Sequence, residues 1–450
     1  MDIDRTFVHS KCHIKSSTWI IYIIYIYMWK IHGVVYDLNE FKQHHPGGET
    51  VLDACKGSDD LTATFESNHA LSDMDKIKSI MKKYQVSTCE QSKYSFEPNG
   101  FYNTLKQRVR NYFQLNTKNH QTYKTNTWWY VKTLVQSAVF LGSTYLAFGS
   151  TDKVSHLNKS ISGFVAGHMW IQLGFTTMHD ASHFALFKNA KYNETVAAIW
   201  NSISVWDNWM WTKHHVFRHH AFTGDVGLDP DIIHFRPFIQ KTSQDHPEKY
   251  FQVMKRYPHA SSIMFVSIFP GMFVGQALQY NIIWNLRKHL WKIKLMDKPF
   301  NLLETLLKLP IPLVAINSII NGNIIPFLAF IMSCNITYSV FILPDHDSHA
   351  TEQNKLTNTD GIDWGETQVR HSGNFSTKNP YVYNAFGGIN YQIEHHLFPT
   401  ICHVHYPAIQ PIVKQTCKEF DIPYVDNPSI YHAVASTLHN YNVVAISTTL

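Results

Sequence analysis

The chain has 450 residues, enough for about two or three domains, and is 44% hydrophobic with 12 Trp, 23 Tyr and 28 Phe, which supplies a large core and the aromatic residues that sit at membrane interfaces. A net charge of only +5, from 39 basic and 34 acidic residues, argues against a dedicated nucleic-acid binder. The six cysteines are scattered without a Cys-x-x-Cys, which excludes a disulfide framework and a zinc ribbon and points to a reducing, cytosol-facing setting.

In chain order the first feature is Trp19–Trp29, a run of 11 aliphatic and aromatic residues. It is too short to span a bilayer, which takes about 20 residues. Lys11 and Lys15 precede it, but it lacks the basic start and small-residue cleavage site of a good secretory signal. Residues 30–95 then read as a small polar domain built around His45-Pro46-Gly47-Gly48. Pro46 fixes one dihedral, and the glycines let the backbone approach a flat ligand. His69 follows 24 positions after His45. Two imidazoles facing each other across a macrocycle give a closed haem site suited to electron transfer.

With Gly33-Val34-Val35-Tyr36-Asp37 before the loop, this module resembles a cytochrome b5 domain. The resemblance implies haem b with His45 and His69 as axial ligands. Glu40, Glu49, Asp53, Asp59, Asp60 and Glu66 form either a solvated face or a docking rim for a basic reductase. Residues 1–29 depart from the family, which places another strand and helix there. We read residues 16–30 as a translated intron or mis-set start, against the competing reading of an interfacial anchor with Trp19, Trp29 and the tyrosines at the headgroups.

A linker over 96–127 precedes apolar stretches near 128–150, 161–178, 260–282, 303–322 and 324–344. Three histidine clusters punctuate them: His179-Asp-Ala-Ser-His183, His215-Val-Phe-Arg-His219-His220 and Gln392-Ile-Glu-His395-His396. His179 and His183 share a helix face. The adjacent pairs in the other two clusters cannot share a face on a regular helix, so one member reaches a different metal or the backbone bends. Seven imidazoles exceed the needs of one tetrahedral zinc and fit two metal ions with open positions. The boxes must meet on one side, so the chain crosses an even number of times between the second and third. Arg287, Lys288, Lys292, Lys294 and Lys298 mark 283–302 as cytosolic. The expectation is two spanning hairpins, 128–178 and 303–344. Segment 260–282 then lies along the interface or enters and leaves on one side. Pro310 and Pro312 make the third span the weakest.

The boxes resemble those of the membrane-bound fatty-acyl desaturases. Phe386-Gly-Gly-Ile-Asn-Tyr-Gln392-Ile-Glu-His395-His396-Leu-Phe-Pro399 is the most specific part. Gln392, where other classes carry His, together with the fused haem module, resembles the front-end desaturases. These insert a double bond between an existing one and the carboxyl end. The resemblance implies two non-haem irons held by His179, His183, His215, His219, His220, His395 and His396, with Gln392 as a weak or water-mediated ligand or an outer hydrogen-bonding group. A further ligand follows the fourth span, where His346 is preferred to His349. Gly224 replaces the usual Asn after the second box and predicts altered loop contacts. His168, His371, His403 and His405 read as incidental or outer groups. No catalytic residue is expected beyond the metal ligands.

The expected fold is therefore an α-helical integral membrane protein with a histidine-rich diiron site over 128–450, fused to a small α+β cytochrome b5-like haem domain. An unactivated methylene C–H is beyond acid–base chemistry, which is why O2 and metal are required. The implied partners are a phospholipid- or CoA-linked fatty acyl substrate, O2, membrane lipid and an NAD(P)H-dependent cytochrome b5 reductase, with no nucleic acid. The chain has no Gly-x-Gly-x-x-Gly for a nicotinamide of its own. The implied location is the endoplasmic reticulum membrane, multi-pass, with haem and boxes cytosolic. The first box ends His183-Phe184, without the extra His of many Δ6-type enzymes, which favours Δ5 with Δ6 next. The rivals are a sphingolipid long-chain-base desaturase or hydroxylase, and a haem-bearing redox adaptor with an inactive metal site.

Overall fold

A computed structural model describes residues 28–447 apart from 59, 116–122, 150–152, 234, 258, 269–270, 279–280, 282–288, 291–292 and 295–300. Residues 1–27, Asp59, and Arg287, Lys288, Lys292 and Lys298 of the basic stretch lie outside the described residues.

Strands β1 (Trp29–Ile31), β2 (Val34–Tyr36) and β3 (Gln85–Thr88) form an antiparallel sheet in that order. Helices α1 (Glu49–Cys55), α2 (Thr62–Asn68) and α3 (Met74–Met81) accompany it. Trp29 and Ile31 point inward while Lys30 points outward, the two-residue period of a strand. Trp29 is fully buried and its indole N–H donates to the Leu52 carbonyl at 2.9 Å. It packs with Ile31, Leu38, Leu52, Leu61 and Phe65. Trp29, read from sequence as the end of the atypical segment, is thus a core residue of the haem module.

The stretch read as a linker contains α4 (Phe101–Leu115), which packs into the apolar core beside the third histidine cluster. Phe101, Tyr102, Leu105 and Val109 recur at helical spacing and are buried. The Tyr102 hydroxyl donates to the Leu397 carbonyl at 2.8 Å, just beyond the third box.

Helices α5 (Thr127–Thr144) and α6 (His156–Leu173) form the expected first pair. Their outer side is apolar, with Val131, Leu134, Val135 and Leu141 exposed, while Lys132, Gln136 and Gln172 are turned inward. After α7 (Ala190–Ile203) come α8 (Ala260–Ile268) and α9 (Met272–Leu278). These fall in the interval expected not to span, and the chain bends by 70° between Ala260–Ser267 and Met272–Leu278. Helices α10 (Pro310–Ile320) and α11 (Ile324–Ile342) follow. Among the described residues two helices are long and apolar enough to cross a membrane, Leu302–Ile320 and Ile324–Glu352, or three if the bent pair counts as one span. The first expected hairpin therefore forms as helices but does not reach that apolarity, because of its inward polar residues. Within Leu302–Ile320 the regular helix stops at Leu307 and resumes at Pro310, which opens α10 at a position where no helical N–H bond is lost.

Helix α6 lies directly on α11. A side chain at Gly163 or Gly167 would collide with the carbonyls of Pro326 and Phe330, so the close approach needs glycine. Four more helices, α12 (Trp364–Arg370), α13 (Gln392–Leu397), α14 (Tyr406–Glu419) and α15 (Ile430–Ser447), complete the framework. One apolar core joins α4, α12, α13 and α14, and a second joins α6, α9 and α11. The second box runs from Trp211 in the latter to Ala221 and Phe222 in the former, so the histidines gather where the two cores meet.

Candidate metal centre and haem site

The backbone departs from the regular α-helix at two of the three boxes. Gly174–His179 and Thr212–His219 are wound as π-helix, a geometry frequent at functional sites. The His220 N–H donates to the His215 carbonyl at 3.2 Å, a five-residue step. That step lines up His215 and His220, whose ring centroids are 4.8 Å apart. His219 points elsewhere, with its ring nearly perpendicular to that of His220. The third box is the short α13, where His395 and His396 diverge as successive helical residues must. Both sequence-derived alternatives for the adjacent pairs therefore hold, a changed winding and divergence to different groups.

The rings converge into two groups. The ligand atoms of His179, His183, His215 and His395 lie within 4.8 Å of one another, as do those of His219, His346 and His396. His220 stands between the groups, its Nε2 facing that of His395 at 3.1 Å and its ring stacked on that of His396. Other facing Nε2 pairs are His179–His215 at 3.1 Å and His219–His346 at 3.2 Å. Nitrogens bound to one ion at about 2.1 Å, set at octahedral to tetrahedral angles, lie roughly 3.0–3.4 Å apart. Both ring nitrogens of His183, Nδ1 of His220 and Oε1 of Gln392 are buried without a hydrogen-bond partner. Orphaned donors of this kind, beside converging lone pairs, fit two metal ions. Burial also holds His215, His220, His395 and His396 well below the ordinary imidazole range, so each is neutral with a lone pair to give.

Outer hydrogen bonds orient several rings through Nδ1. His395 faces the Tyr406 hydroxyl at 3.1 Å, and His396 faces Gln368 Oε1 at 2.9 Å and the Thr223 hydroxyl at 3.0 Å. His346 donates to the His371 carbonyl at 2.9 Å. His219 faces Asp229 at 3.0 Å and Asp231 at 3.3 Å. Burial opposes a charge on His219, yet the two aspartates outweigh it and raise its pKa. Such contacts fix the tautomer that presents Nε2 inward. Asp229, Asp231, Thr223, Gln368 and Tyr406 were not anticipated from sequence. The Asp229-Pro230-Asp231 pair shortly after the second box was the available signal.

Every metal-ligating residue nominated from sequence lies in this assembly, including His346 and Gln392, whose Nε2 atoms are 3.0 Å apart. His349 does not. Its ring faces Asn440 and Gln353. Of the histidines set aside, His371 supports His346, while His403 is bound between Asp180 at 2.6 Å and Lys132 at 2.6 Å. His168 contacts Thr337, and His405 contacts the Lys124 carbonyl. Gly224 has φ of +78°, and a side chain there would strike the His371 ring, which faces the Thr223 carbonyl at 2.7 Å, so the altered loop makes room for that ring.

In the haem module His45 and His69 face each other with ring centroids 6.2 Å apart. Two imidazoles on opposite sides of one iron at about 2.0 Å stand about 6.3 Å apart, centroid to centroid. The His45 Nδ1 faces the Gly48 carbonyl at 3.2 Å and the His69 Nδ1 faces the Phe65 carbonyl at 2.8 Å, which leaves both Nε2 atoms for a shared ligand. The adjoining cavity of about 720 Å³ is walled by Leu38, Phe41, Val51 and Phe65 and fits a haem.

Residues 159–428 match the fatty acid desaturase family, and residues 26–90 match the cytochrome b5-like heme/steroid binding domain. The chain belongs to the fatty acid desaturase family, with a haem-binding cytochrome b5-like domain fused at its N-terminal side and a histidine cluster that fits a diiron site. It is 28% identical to an acyl-lipid (8-3)-desaturase of Physcomitrium patens, over 93% of this chain and 88% of the relative. It is 29% identical to a probable Delta(5) fatty acid desaturase C of Dictyostelium discoideum, over 94% of this chain and 91% of the relative. An sn-1 linoleoyl-lipid 6-desaturase of Synechocystis sp. (strain ATCC 27184 / PCC 6803 / Kazusa) is 28% identical over 78% of this chain and 96% of its own length. The protein is thus a membrane-bound oxidoreductase acting on acyl lipids.

Proposed function

We propose that the protein is a front-end desaturase that places a cis double bond between an existing double bond and the carboxyl end of a polyunsaturated acyl chain, at Δ5 first and Δ6 next. The carrying observation is the pair of converging imidazole groups beside an apolar cavity. Relatives named (8-3)- and Delta(5)-desaturases match over nearly the whole chain, which supports Δ5.

In this reading His179, His183, His215 and His395 hold one iron with His220 at its edge, and His219, His346 and His396 hold the other. Gln392 completes the second site. Its amide nitrogen and oxygen exchange places by a half-turn, and that turn aims the unpartnered Oε1 toward the side of His346 and His396. Bound there, a reduced pair of irons would supply the O2 chemistry that removes hydrogen from an unactivated methylene. The protein holds the irons by neutral nitrogens, orients those rings through Asp229, Gln368 and Tyr406, and keeps water from the reacting carbons. A cavity of about 470 Å³ reaches the histidines between Phe175, Trp211, Met272, Tyr338, Ile342 and Ile389, and its apolar wall suits an acyl chain.

His45 and His69 hold haem b, which supplies electrons singly, so each double bond needs two deliveries from an NAD(P)H-dependent cytochrome b5 reductase. The acyl chain arrives on a phospholipid or on CoA. The boxes and the haem module face the cytosol at the endoplasmic reticulum, and the α5–α6 and α10–α11 pairs each cross and return. The test is expression in yeast supplied with several polyunsaturated acids, with double-bond positions read by mass spectrometry. A new bond at Δ5 is expected. Product on a long-chain base, a hydroxylated product or no product would overturn the assignment.

A further inference from the structure

The haem cavity is not closed by the haem module alone. Phe184, Phe187 and Phe217 of the catalytic domain also line it. Two of these occupy particular positions. Phe184 directly follows His183, and Phe217 lies between His215 and His219 within the widened helix. Residues two apart on a helix point to nearly opposite sides. The segment therefore gives its histidines to the metal centre and Phe217 to the haem side. The Phe217 ring packs against the core of the haem module, and the Thr64 hydroxyl donates to its carbonyl at 3.4 Å. On the same segment, the buried Lys213 donates to the Ala54 carbonyl at 2.8 Å. On another side of the module, buried Lys106 of α4 pairs with buried Glu66 at 2.5 Å. The haem module is thus held against the second box by buried contacts from two separate elements.

We propose that this docked arrangement is the electron-donating one, and that Phe217 is the contact across which the electron passes from the haem edge to the metal centre. The proposal rests on the haem and iron assignments above. Electron tunnelling falls steeply with distance, and more steeply across a gap than through bonded and packed atoms. Phe217 lines the haem cavity and is two residues from His215 and His219 on either side. The balance is simple. Each ferrous haem gives one electron and becomes ferric. Two such electrons and two protons, with the two hydrogens removed from adjacent methylenes, reduce one O2 to two waters and leave one carbon–carbon double bond.

The test uses the full chain, loaded with haem and iron, in nanodiscs of polyunsaturated phospholipid supplemented with polyunsaturated acyl-CoA. The haem is reduced with dithionite, O2 is added, and haem reoxidation is followed by absorbance. The background is His183→Ala, expected to be defective in iron. Phe217→Ala and Phe217→Leu should each slow reoxidation by about tenfold or more, within the ~100-fold that misplacing a reacting pair can cost, with haem spectrum and iron content unchanged. Phe217→Trp should restore it. Leu retains apolar volume should Ala lose haem. Wild-type reoxidation rates in both loaded variants would overturn the proposal, as would slowing by Phe184→Ala but not by either Phe217 variant. A wild-type rate no faster than that of His183→Ala would instead sink the underlying metal assignment, and this proposal with it.

Discussion

The Nε2 atoms of His220 and His395 face each other at 3.1 Å although 175 residues separate them in sequence. With the His395 Nδ1 at the Tyr406 hydroxyl and the His220 Nδ1 without a partner, the facing nitrogens are placed to share a cation. Removing such a ligand should disable the centre without disturbing the haem. His183→Ala, His219→Ala, His346→Ala and His396→Ala should each abolish desaturation, measured as product by mass spectrometry, and leave the haem spectrum unchanged. His349→Ala should keep near-normal activity, because that ring lies against Asn440 and Gln353. Normal product from any of the first four removes that residue from the ligand set.

Asp229 acts through His219. Its carboxylate faces the His219 Nδ1 at 3.0 Å and accepts from the Gly224 N–H at 2.8 Å. Asp229→Asn should weaken iron binding by about 10–100-fold, the usual cost of losing such a partner. Iron retained during dialysis against a graded chelator reads the effect. Wild-type retention would show that the aspartate orients nothing.

His45→Ala or His69→Ala should remove the haem spectrum and most activity while iron at the boxes stays. Free cytochrome b5 should not fully rescue either variant, because the fused module works at high effective concentration. Full activity of the double variant would make the module dispensable.

Glu66 links the stability of the fold to pH. Burial opposes its charge, but His32 and Lys106 outweigh that and hold its carboxyl at about 2 against an ordinary 4.5. A carboxylate with a depressed folded pKa stabilises the fold above the unfolded value, and that contribution fades as pH falls from about 4.5 towards about 2. The shift corresponds to about 3 kcal/mol. Thermal unfolding of wild type and Glu66→Gln should therefore differ most near neutral pH and converge as the medium is acidified. A constant difference across that window would assign the stabilisation elsewhere.

Much of the site was legible because ligand spacing is local. His179 with His183, and His395 with His396, are read from a few residues; the first pair shares one group with His395, while His396 joins the other. The choice of His346 over His349 was open in sequence, since three residues on a helix end can turn either way. The supporting hydrogen bonds were not legible, because Gln368 and His371 reach their partners only through tertiary packing. The stretch read as a linker holds helix α4, whose visible period in Phe101, Tyr102, Leu105 and Val109 was passed over because Lys106, Arg108 and Arg110 are interleaved with it. The basic heads are spent on Glu66, Glu419 and the carbonyls of Ala70 and Ser72. The widened winding at Thr212–His219 was one of two alternatives that the adjacent His219 and His220 left open, and it is what aligns His215 with His220.

The most direct test of the central claim is the iron content of purified full-length protein relative to its haem. Two imidazole groups and one bis-histidine haem predict a ratio of total iron to haem of about three. The same preparation should fall to about one after His183→Ala and His396→Ala are combined, with the haem spectrum unchanged. A ratio of about one in active wild-type protein would contradict the account.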